Sequence, residues 1–200
     1  MKLSHILTAP NQLTLLRMVF IPFIVMGLIE RDYKQALVLL VIAGLTDLFD
    51  GFLARKLHQQ TLIGQYLDPI ADKLLLSTLF MVLAILHLIK WRYTVVVFSR
   101  DIGILGVSAV LFATAGLRDF RPSIFGKMNT LSQIAAVFFV MLYLVVPAQW
   151  VWFGKTLFLR MTFAFTILSA LHYVILVGQR MRALGSGTAP PKEISPPHES

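Results

Sequence analysis

The chain has 200 residues, of which 57% are apolar and only 14% are charged. Soluble globular proteins usually carry about 25% charged residues, so this composition excludes an ordinary water-exposed surface and favours a membrane protein. The net charge is +8, but aromatic and basic residues are not interleaved on a polar surface, which excludes a typical nucleic-acid binder and fits anionic lipid headgroups. The chain has no cysteine, which excludes disulfides and thiolate metal sites.

Six apolar stretches follow one another along the chain. They lie near residues 13–30, 35–54, 67–89, 93–117, 129–148 and 151–179, and each approaches or exceeds the roughly 20 residues that cross a bilayer. Asn11 is predicted to cap the first helix, and Asp68-Pro69 to open the third, because Asp is a good N-cap and Pro suits the first helical position. The sequence therefore predicts an all-α integral membrane protein, a six-transmembrane-helix bundle.

A single membrane domain is expected over residues 1–183. Residues 184–200 are rich in Pro, Gly and Ser, which predicts a disordered cytoplasmic tail. Small residues inside the spans are expected to permit close helix approach; they are Gly44, Gly103, Gly106 and Ala170.

The cations of the loops predict the orientation. With the N-terminus inside, the cytoplasmic segments hold nine Lys and Arg residues against five on the other side, which favours cytoplasmic N- and C-termini. The nine are Lys2, Arg55, Lys56, Arg118, Arg121, Lys127, Arg180, Arg182 and Lys192, and the five are Arg31, Lys34, Lys90, Arg92 and Lys155. The junction of the second and third spans then faces the cytoplasm.

Four carboxylates at that junction form what we call the acid cluster: Asp47, Asp50, Asp68 and Asp72. A carboxylate at membrane depth costs several kcal/mol unless it is paired, metal-bound or hydrated, so four of them require a common explanation. Asp47 and Asp50 share a helix face with Gly51 and Ala54, and Asp68 and Asp72 are four residues apart on the next helix. Hard oxygen ligands suit Mg²⁺ or Mn²⁺, and two such ions can bridge a diphosphate.

These residues match a longer pattern, D-x2-D-G-x2-A-R-x8-G-x3-D-x3-D, completed by Arg55 and Gly64. The pattern resembles the signature of the CDP-alcohol phosphatidyltransferases. The resemblance implies a membrane enzyme that moves a phosphatidyl group from CDP-diacylglycerol to an alcohol and releases CMP, with a polar metal-binding cavity open to the cytoplasm. It also implies a location in the bacterial cell (inner) membrane. The sequence does not determine the oligomeric state, and a homodimer is one arrangement that we consider.

The same resemblance implies roles for individual residues. The acid cluster would hold the metal ions, and Asp72 would also serve as the base toward the acceptor hydroxyl. The nucleotide and its phosphates would contact Asp47, Gly51, Ala54, Arg55 and Gly64.

Two acceptors stay open. The run Asn11 to Arg17 resembles the opening helix of glycerol-accepting members, and Arg118, Arg121 and Lys127 suit the doubly charged phosphate of glycerol 3-phosphate. However, Ser99-Arg100-Asp101, residues 126–130 and residues 43–47 are similar to CDP-diacylglycerol-dependent cardiolipin synthases, whose acceptor is phosphatidylglycerol. The candidate acceptor-binding residues are Arg17, Arg100, Arg118, Arg121 and Lys127.

Several charged residues also have structural interpretations. Arg17 is expected either to snorkel toward the interface or to bind a phosphate, and Lys73 to neutralise the acid cluster. Arg100 and Asp101 form either a self-neutralising pair or a wall of the acceptor pocket, and Arg160 is assigned to packing or the far interface. A membrane ion transporter is the alternative from another class, but Gly51, Ala54 and Arg55 have no evident use there, and the motif has no second copy.

Overall fold

The computed structural model describes the backbone of residues 9–57, 62–115 and 124–185, and within them the side chains of residues 15–46, 71–103, 106, 126–171, 175 and 178. The described residues form six α-helices: α1 (Ala9–Ile29), α2 (Tyr33–Leu57), α3 (Leu62–Ile85), α4 (Trp91–Ala115), α5 (Ile124–Val145) and α6 (Gln149–Gly185). For the described residues, the predictions of an all-helical protein and of six helices near these places are confirmed. However, α1 begins at Ala9, so Asn11 lies inside it and is not its N-cap.

A tight turn joins α1 to α2. Arg31 adopts a left-handed backbone conformation with φ 62°, and the Asp32 carboxylate accepts a 3.2 Å hydrogen bond from the backbone N–H of Gln35. Asp32 is therefore the N-cap of α2. The two helices approach closely at Gly27, where an added Cβ would lie 3.2 Å from the Cβ of Ala36.

Helix α3 begins earlier than the sequence predicted. It starts at Leu62, so Asp68 and Pro69 lie inside the helix and do not open it. Proline removes one backbone N–H donor and disfavours the helix locally, but a helix in an apolar environment continues through it because an unpaired backbone elsewhere costs more. The acids Asp68 and Asp72 thus stand on a helix that is already two turns long.

Helices α3 and α4 form an antiparallel pair with a fixed register. The Thr94 hydroxyl donates to the Phe80 carbonyl at 3.0 Å, and the Lys73 ammonium reaches Asp101 at 2.8 Å. The sum of the two residue numbers is the same in both contacts, as it is for facing residues all along a pair of antiparallel helices, so both contacts belong to one register. The intervening turn is closed at His87, whose φ is 57°.

Helices α5 and α6 form the second antiparallel hairpin, and Pro147 separates them. The Phe139 ring stacks on Phe158 with centroids 5.2 Å apart, and the Lys155 ammonium lies 4.5 Å from the centroid of Tyr143. Gly154 faces Phe139 so closely that an added Cβ would lie 2.5 Å from two ring carbons. Here a glycine is required by the packing.

The core lies along α3. Leu79, Phe80 and Leu83 are buried there, and they belong to one apolar cluster with residues of α1 and α5 such as Ile24 and Val140. The outward faces of the helices are also apolar, with many large exposed side chains, which is typical of helices that contact lipid. Within the described residues, Gly126–Val145 and Gln149–Leu171 are long and apolar enough to cross a bilayer, and Leu15–Ile29 and Tyr33–Thr46 are shorter apolar segments.

The prediction about small residues is wrong for three of its four positions. No atom of the described residues comes within 4 Å of a Cβ added to Gly44, Gly103 or Gly106. Close helix approach occurs instead at Gly27 and Gly154. A glycine allows a neighbouring helix to come close on the face where the glycine lies. Whether a helix packs against that face depends on how the glycine-bearing helix is rotated within the bundle.

Candidate active site

The motif residues lie on the two helices that flank residues 58–61. The last part of α2 carries Asp47, Asp50, Gly51, Ala54 and Arg55, and the first turns of α3 carry Gly64, Asp68 and Asp72. The side chain of Asp72 is described, whereas those of the other seven lie outside the described residues, as do residues Arg118 and Arg121 altogether. The site is therefore built here from Asp72 outward.

Asp72 forms an ion pair with Arg17 of α1. The Arg17 side chain is only 1% exposed, while that of Asp72 is 44% exposed. Arg17 does not snorkel to an interface, so this part of the prediction is wrong: its guanidinium is held inside the protein by a carboxylate of the acid cluster. Charge-assisted hydrogen bonds of this kind are among the stronger polar contacts in proteins, and this one orients Asp72 from the α1 side.

Lys73 contacts a different carboxylate from the one expected. Its ammonium donates to both oxygens of Asp101 at 2.8 Å, so Lys73 of α3 pairs with α4 and is not directed to the acid cluster. Arg100 also donates to Asp101, at 2.7 Å, and its second terminal nitrogen donates to the Ser169 hydroxyl of α6 at 3.1 Å. The expected pair of Arg100 and Asp101 is present, but it belongs to a network of four residues.

Together these contacts form what we call the polar layer, made of Arg17, Asp72, Lys73, Arg100, Asp101 and Ser169. It joins α1 to α3, α3 to α4, and α4 to α6. Two contacts join α4 to α6: Arg100 with Ser169, and the Tyr93 ring with the Phe163 ring at a centroid distance of 6.2 Å. The two partners are separated by nearly the same number of residues in both contacts, so α4 and α6 run in parallel. Charged residues of three helices and a hydroxyl of a fourth thus meet at one level of the bundle, where each described carboxylate has a cationic partner.

A second set of polar side chains extends from this layer between α5 and α6. Thr166, one turn before Ser169, donates to the Asn129 side-chain oxygen at 2.9 Å, and Gln133 follows Asn129 by one turn. Gln133 is 1% exposed, and its amide nitrogen and oxygen have no hydrogen-bond partner among the described residues. We did not predict this second set of polar side chains from the sequence, although Thr162, Thr166 and Ser169 recur at helical spacing in an otherwise apolar segment.

The remaining predicted cations with described side chains are at the surface. Lys127 is exposed near the start of α5, and Arg160 is exposed in the middle of α6. No described residue places a counter-charge within ion-pair distance of Lys127. Among the candidate acceptor residues with described side chains, Arg17 and Arg100 are engaged by carboxylates and Lys127 is open to a ligand.

A metal site is not assembled by the described side chains alone, since no group of three or more His, Cys, Asp or Glu occurs among them. The donor set of the acid cluster nevertheless suits a divalent ion. It contains only carboxylates, which are hard oxygen ligands, and the described member, Asp72, keeps nearly half of its side chain accessible.

Comparison with known proteins decides the family. Residues 7–177 match the profile of a family described as CDP-alcohol phosphatidyltransferase, which is most of the chain. The chain belongs to this family. The identification made from the motif is therefore confirmed, and with it the membrane association and the general dependence on divalent metal ions of CDP-alcohol phosphatidyltransferases.

Relatives with two different names are similar to this CDP-alcohol phosphatidyltransferase. The CDP-diacylglycerol–glycerol-3-phosphate 3-phosphatidyltransferase of Bacillus subtilis is 32% identical over 180 residues, which cover 82% of this chain and 92% of that protein. The enzyme of the same name from Aquifex aeolicus is 37% identical, with 62% and 70% covered. The human cardiolipin synthase (CMP-forming) is 34% identical, with 65% of this chain and 48% of the human protein covered. The chain thus spans about half the length of the cardiolipin synthases that it matches.

Proposed function

We propose that this protein transfers a phosphatidyl group from CDP-diacylglycerol to glycerol 3-phosphate, producing phosphatidylglycerophosphate and CMP. The observation that carries this proposal is the extent of the match. The Bacillus and Escherichia coli K12 enzymes named for glycerol 3-phosphate are covered over 92% of their length, whereas the human cardiolipin synthase is covered over 48%.

A cardiolipin synthase that uses phosphatidylglycerol is the second candidate. It is favoured by the identity of 34% to both the fly and the human cardiolipin synthases. Both candidates use CDP-diacylglycerol and the same motif, so they differ only in the acceptor. Family membership disfavours the ion transporter considered from the sequence.

For the architecture we propose a domain of residues 1–183 with six membrane-crossing helices and both termini in the cytoplasm, in the inner membrane of a bacterial cell. The polar layer supports a polar cavity, because it brings charged side chains together inside the bundle, near the middle of α3 and α4, and the proposed cavity opens to the cytoplasmic side. Nucleotide and water would enter there while acyl chains remain in the bilayer. Residues 184–200 would follow as a cytoplasmic tail.

The proposed chemistry is a direct displacement at the lipid-side phosphorus by the acceptor hydroxyl. Asp72 accepts the hydroxyl proton, and Arg17 fixes the direction of its carboxylate. Gly51 and Ala54 leave room for the nucleotide, and Arg55 contacts its phosphates. The reaction needs positioning and charge neutralisation more than a covalent intermediate, as phosphoryl transfer generally does. A single displacement inverts the configuration at phosphorus.

Asp47, Asp50, Asp68 and Asp72 would hold Mg²⁺ or Mn²⁺, with two ions as the proposed number. Such ions, when bound, neutralise the diphosphate and support the departing CMP. Their carboxylate donors fit this role, and the nucleotide contacts with Asp47 and Gly64 belong to the same proposal.

The test is an assay of the purified protein with CDP-diacylglycerol, Mg²⁺ or Mn²⁺, and each acceptor in turn. We expect CMP and phosphatidylglycerophosphate with glycerol 3-phosphate. Product with phosphatidylglycerol alone would refute the leading proposal and establish the cardiolipin synthase. No CMP with either acceptor would refute both.

Variants of the acid cluster test the site. Changing Asp47, Asp50, Asp68 or Asp72 to Asn keeps the size and removes the charge, so transfer should be nearly abolished. Asp32→Asn is the matched control, because Asn also caps a helix well and Asp32 lies outside the motif. Two acid-cluster variants that retain more than about half of the activity would contradict the two-ion mechanism.

A further inference from the structure

Asp101 lies between two cations beside the proposed active site. Its side chain is 14% exposed, both of its oxygens accept from Lys73 at 2.8 Å, and one of them also accepts from Arg100 at 2.7 Å. The proposed mechanism does not use Asp101 or Lys73. A carboxylate that binds two cations and does no chemistry needs another explanation.

Lys73 connects this arrangement to the proposed metal site. It follows Asp72 directly, so their Cα atoms are about 3.8 Å apart. Its ammonium sits on a flexible four-carbon stem, and 41% of the side chain is exposed. Lys73 therefore stands between Asp72, its neighbour in sequence and a member of the acid cluster, and Asp101 on α4. The structure places it on Asp101.

A lysine directed at the acid cluster would compete with a divalent cation for the same oxygens. Even without contact, the positive charge of Lys73, one residue from Asp72, would disfavour the binding of another cation in a partly buried site if no carboxylate balanced it. With Asp101 in place, the charge of Lys73 is balanced by a carboxylate that does not belong to the acid cluster. Arg17 already pairs with Asp72, so the cluster is spared a second cation that would compete with the metal.

We propose that Asp101 is a positioning residue that holds the Lys73 ammonium away from the acid cluster and thereby maintains its affinity for divalent cations. This inference rests on the proposed metal-dependent function. It differs from a purely structural role for Asp101, which would only join α3 to α4. The two roles are separable because Thr94 joins the same two helices without a charge.

The experiment measures Mn²⁺ binding to the full-length protein in detergent, from the electron paramagnetic resonance signal of free Mn²⁺. Asp101→Asn should raise the Kd for Mn²⁺ about three- to tenfold, because Lys73 loses its counter-charge. The double variant Lys73→Met/Asp101→Asn should return to within about twofold of the wild type, because the competing cation is gone. Asp101→Glu keeps the charge and should also remain within about twofold.

Thr94→Val is the matched control. It removes the 3.0 Å hydrogen bond to the Phe80 carbonyl from the same helix pair, at a position that is more deeply buried than Asp101, and leaves all charges unchanged. Its Kd for Mn²⁺ should equal that of the wild type. The melting temperature of every variant is recorded, and Asp101→Ser carries the same expectation as Asp101→Asn should the latter not fold.

Three results would overturn the inference: an unchanged Kd in Asp101→Asn, a double variant that stays as weak as Asp101→Asn, or an equal loss in Thr94→Val. In each of these cases the wild type still binds Mn²⁺, and the proposed function stands. A wild type that binds no Mn²⁺ refutes the metal site itself and this inference with it.

Discussion

Gly154 offers the sharpest test of how this bundle is packed. An Ala at this position would place its Cβ 2.5 Å from two carbons of the Phe139 ring and 3.1 Å from a third. Carbon atoms in contact are normally about 3.5–4.0 Å apart, so the ring has to retreat by about 1 Å. It is confined by stacking on Phe158 at 5.2 Å and by the edge of Phe138 at 5.6 Å.

The expected cost follows from these distances. Overpacking of a well-packed core costs about 1–3 kcal/mol, and replacing a helical Gly by Ala returns about 0.5–1 kcal/mol. Gly154→Ala should therefore destabilise the protein by up to about 2.5 kcal/mol, with a central value of about 1 kcal/mol that corresponds to a fall in Tm of roughly 2–4 °C for a chain of this length.

The assay is the thermal unfolding of the purified protein in detergent, with Gly178→Ala as the control on the same helix. No atom of the described residues comes within 4 Å of a Cβ at Gly178, so this variant should melt at or slightly above the wild-type Tm. Adding Phe139→Leu to Gly154→Ala should recover part of the loss. Equal melting temperatures for Gly154→Ala and Gly178→Ala would refute the reasoning.

Four further outcomes are expected. Lys127→Ala should raise the KM for glycerol 3-phosphate by about ten- to a hundredfold, since a charge-assisted hydrogen bond contributes about 1.5–3 kcal/mol, while Lys90→Ala at the other end of the bundle should not. Gly51→Leu should weaken CDP-diacylglycerol binding in a direct titration, and unchanged affinity would remove Gly51 from the site. Gln133→Leu should leave Tm unchanged or raise it, because it replaces a buried amide without a described partner. Thr166→Val should cost about 1 kcal/mol in unfolding experiments by removing the hydroxyl that lies 2.9 Å from the Asn129 side-chain oxygen and 2.7 Å from the Thr162 carbonyl, and a Tm equal to that of the wild type would count against these bonds.

The helices were predictable because apolar length is a strong signal in a membrane protein. The start of α3 was not, because Asp68 and Pro69 form a good local opening signal and yet lie inside the helix. Local preference gives way where a helix is the available means of pairing the backbone in an apolar environment. The family and its motif were recognisable from eight residues at fixed spacing.

The partners of the charged residues could not be predicted in the same way. Lys73 is adjacent to one carboxylate in sequence, but it pairs with another 28 residues away. Which carboxylate Lys73 contacts depends on the axial register and the rotation of α3 against α4. The spacing of residues within one helix does not reveal either of these. The sequence likewise shows that Gly44 and Gly154 are small, but only the packing reveals that Gly154 alone of the two has a ring against it.

The two contacts that set the α3–α4 register also determine where this chain tolerates insertions and deletions. Both Lys73–Asp101 and Thr94–Phe80 lie within helices, on either side of the turn at residues 86–90. A residue added to that turn leaves the two contacts in phase and costs only loop entropy, which grows slowly with length. A residue added between Lys73 and Phe80 rotates one contact by about 100° relative to the other, so one of them is lost. Length variation among homologous chains is therefore expected in the turn and excluded from the six residues that separate the two α3 positions.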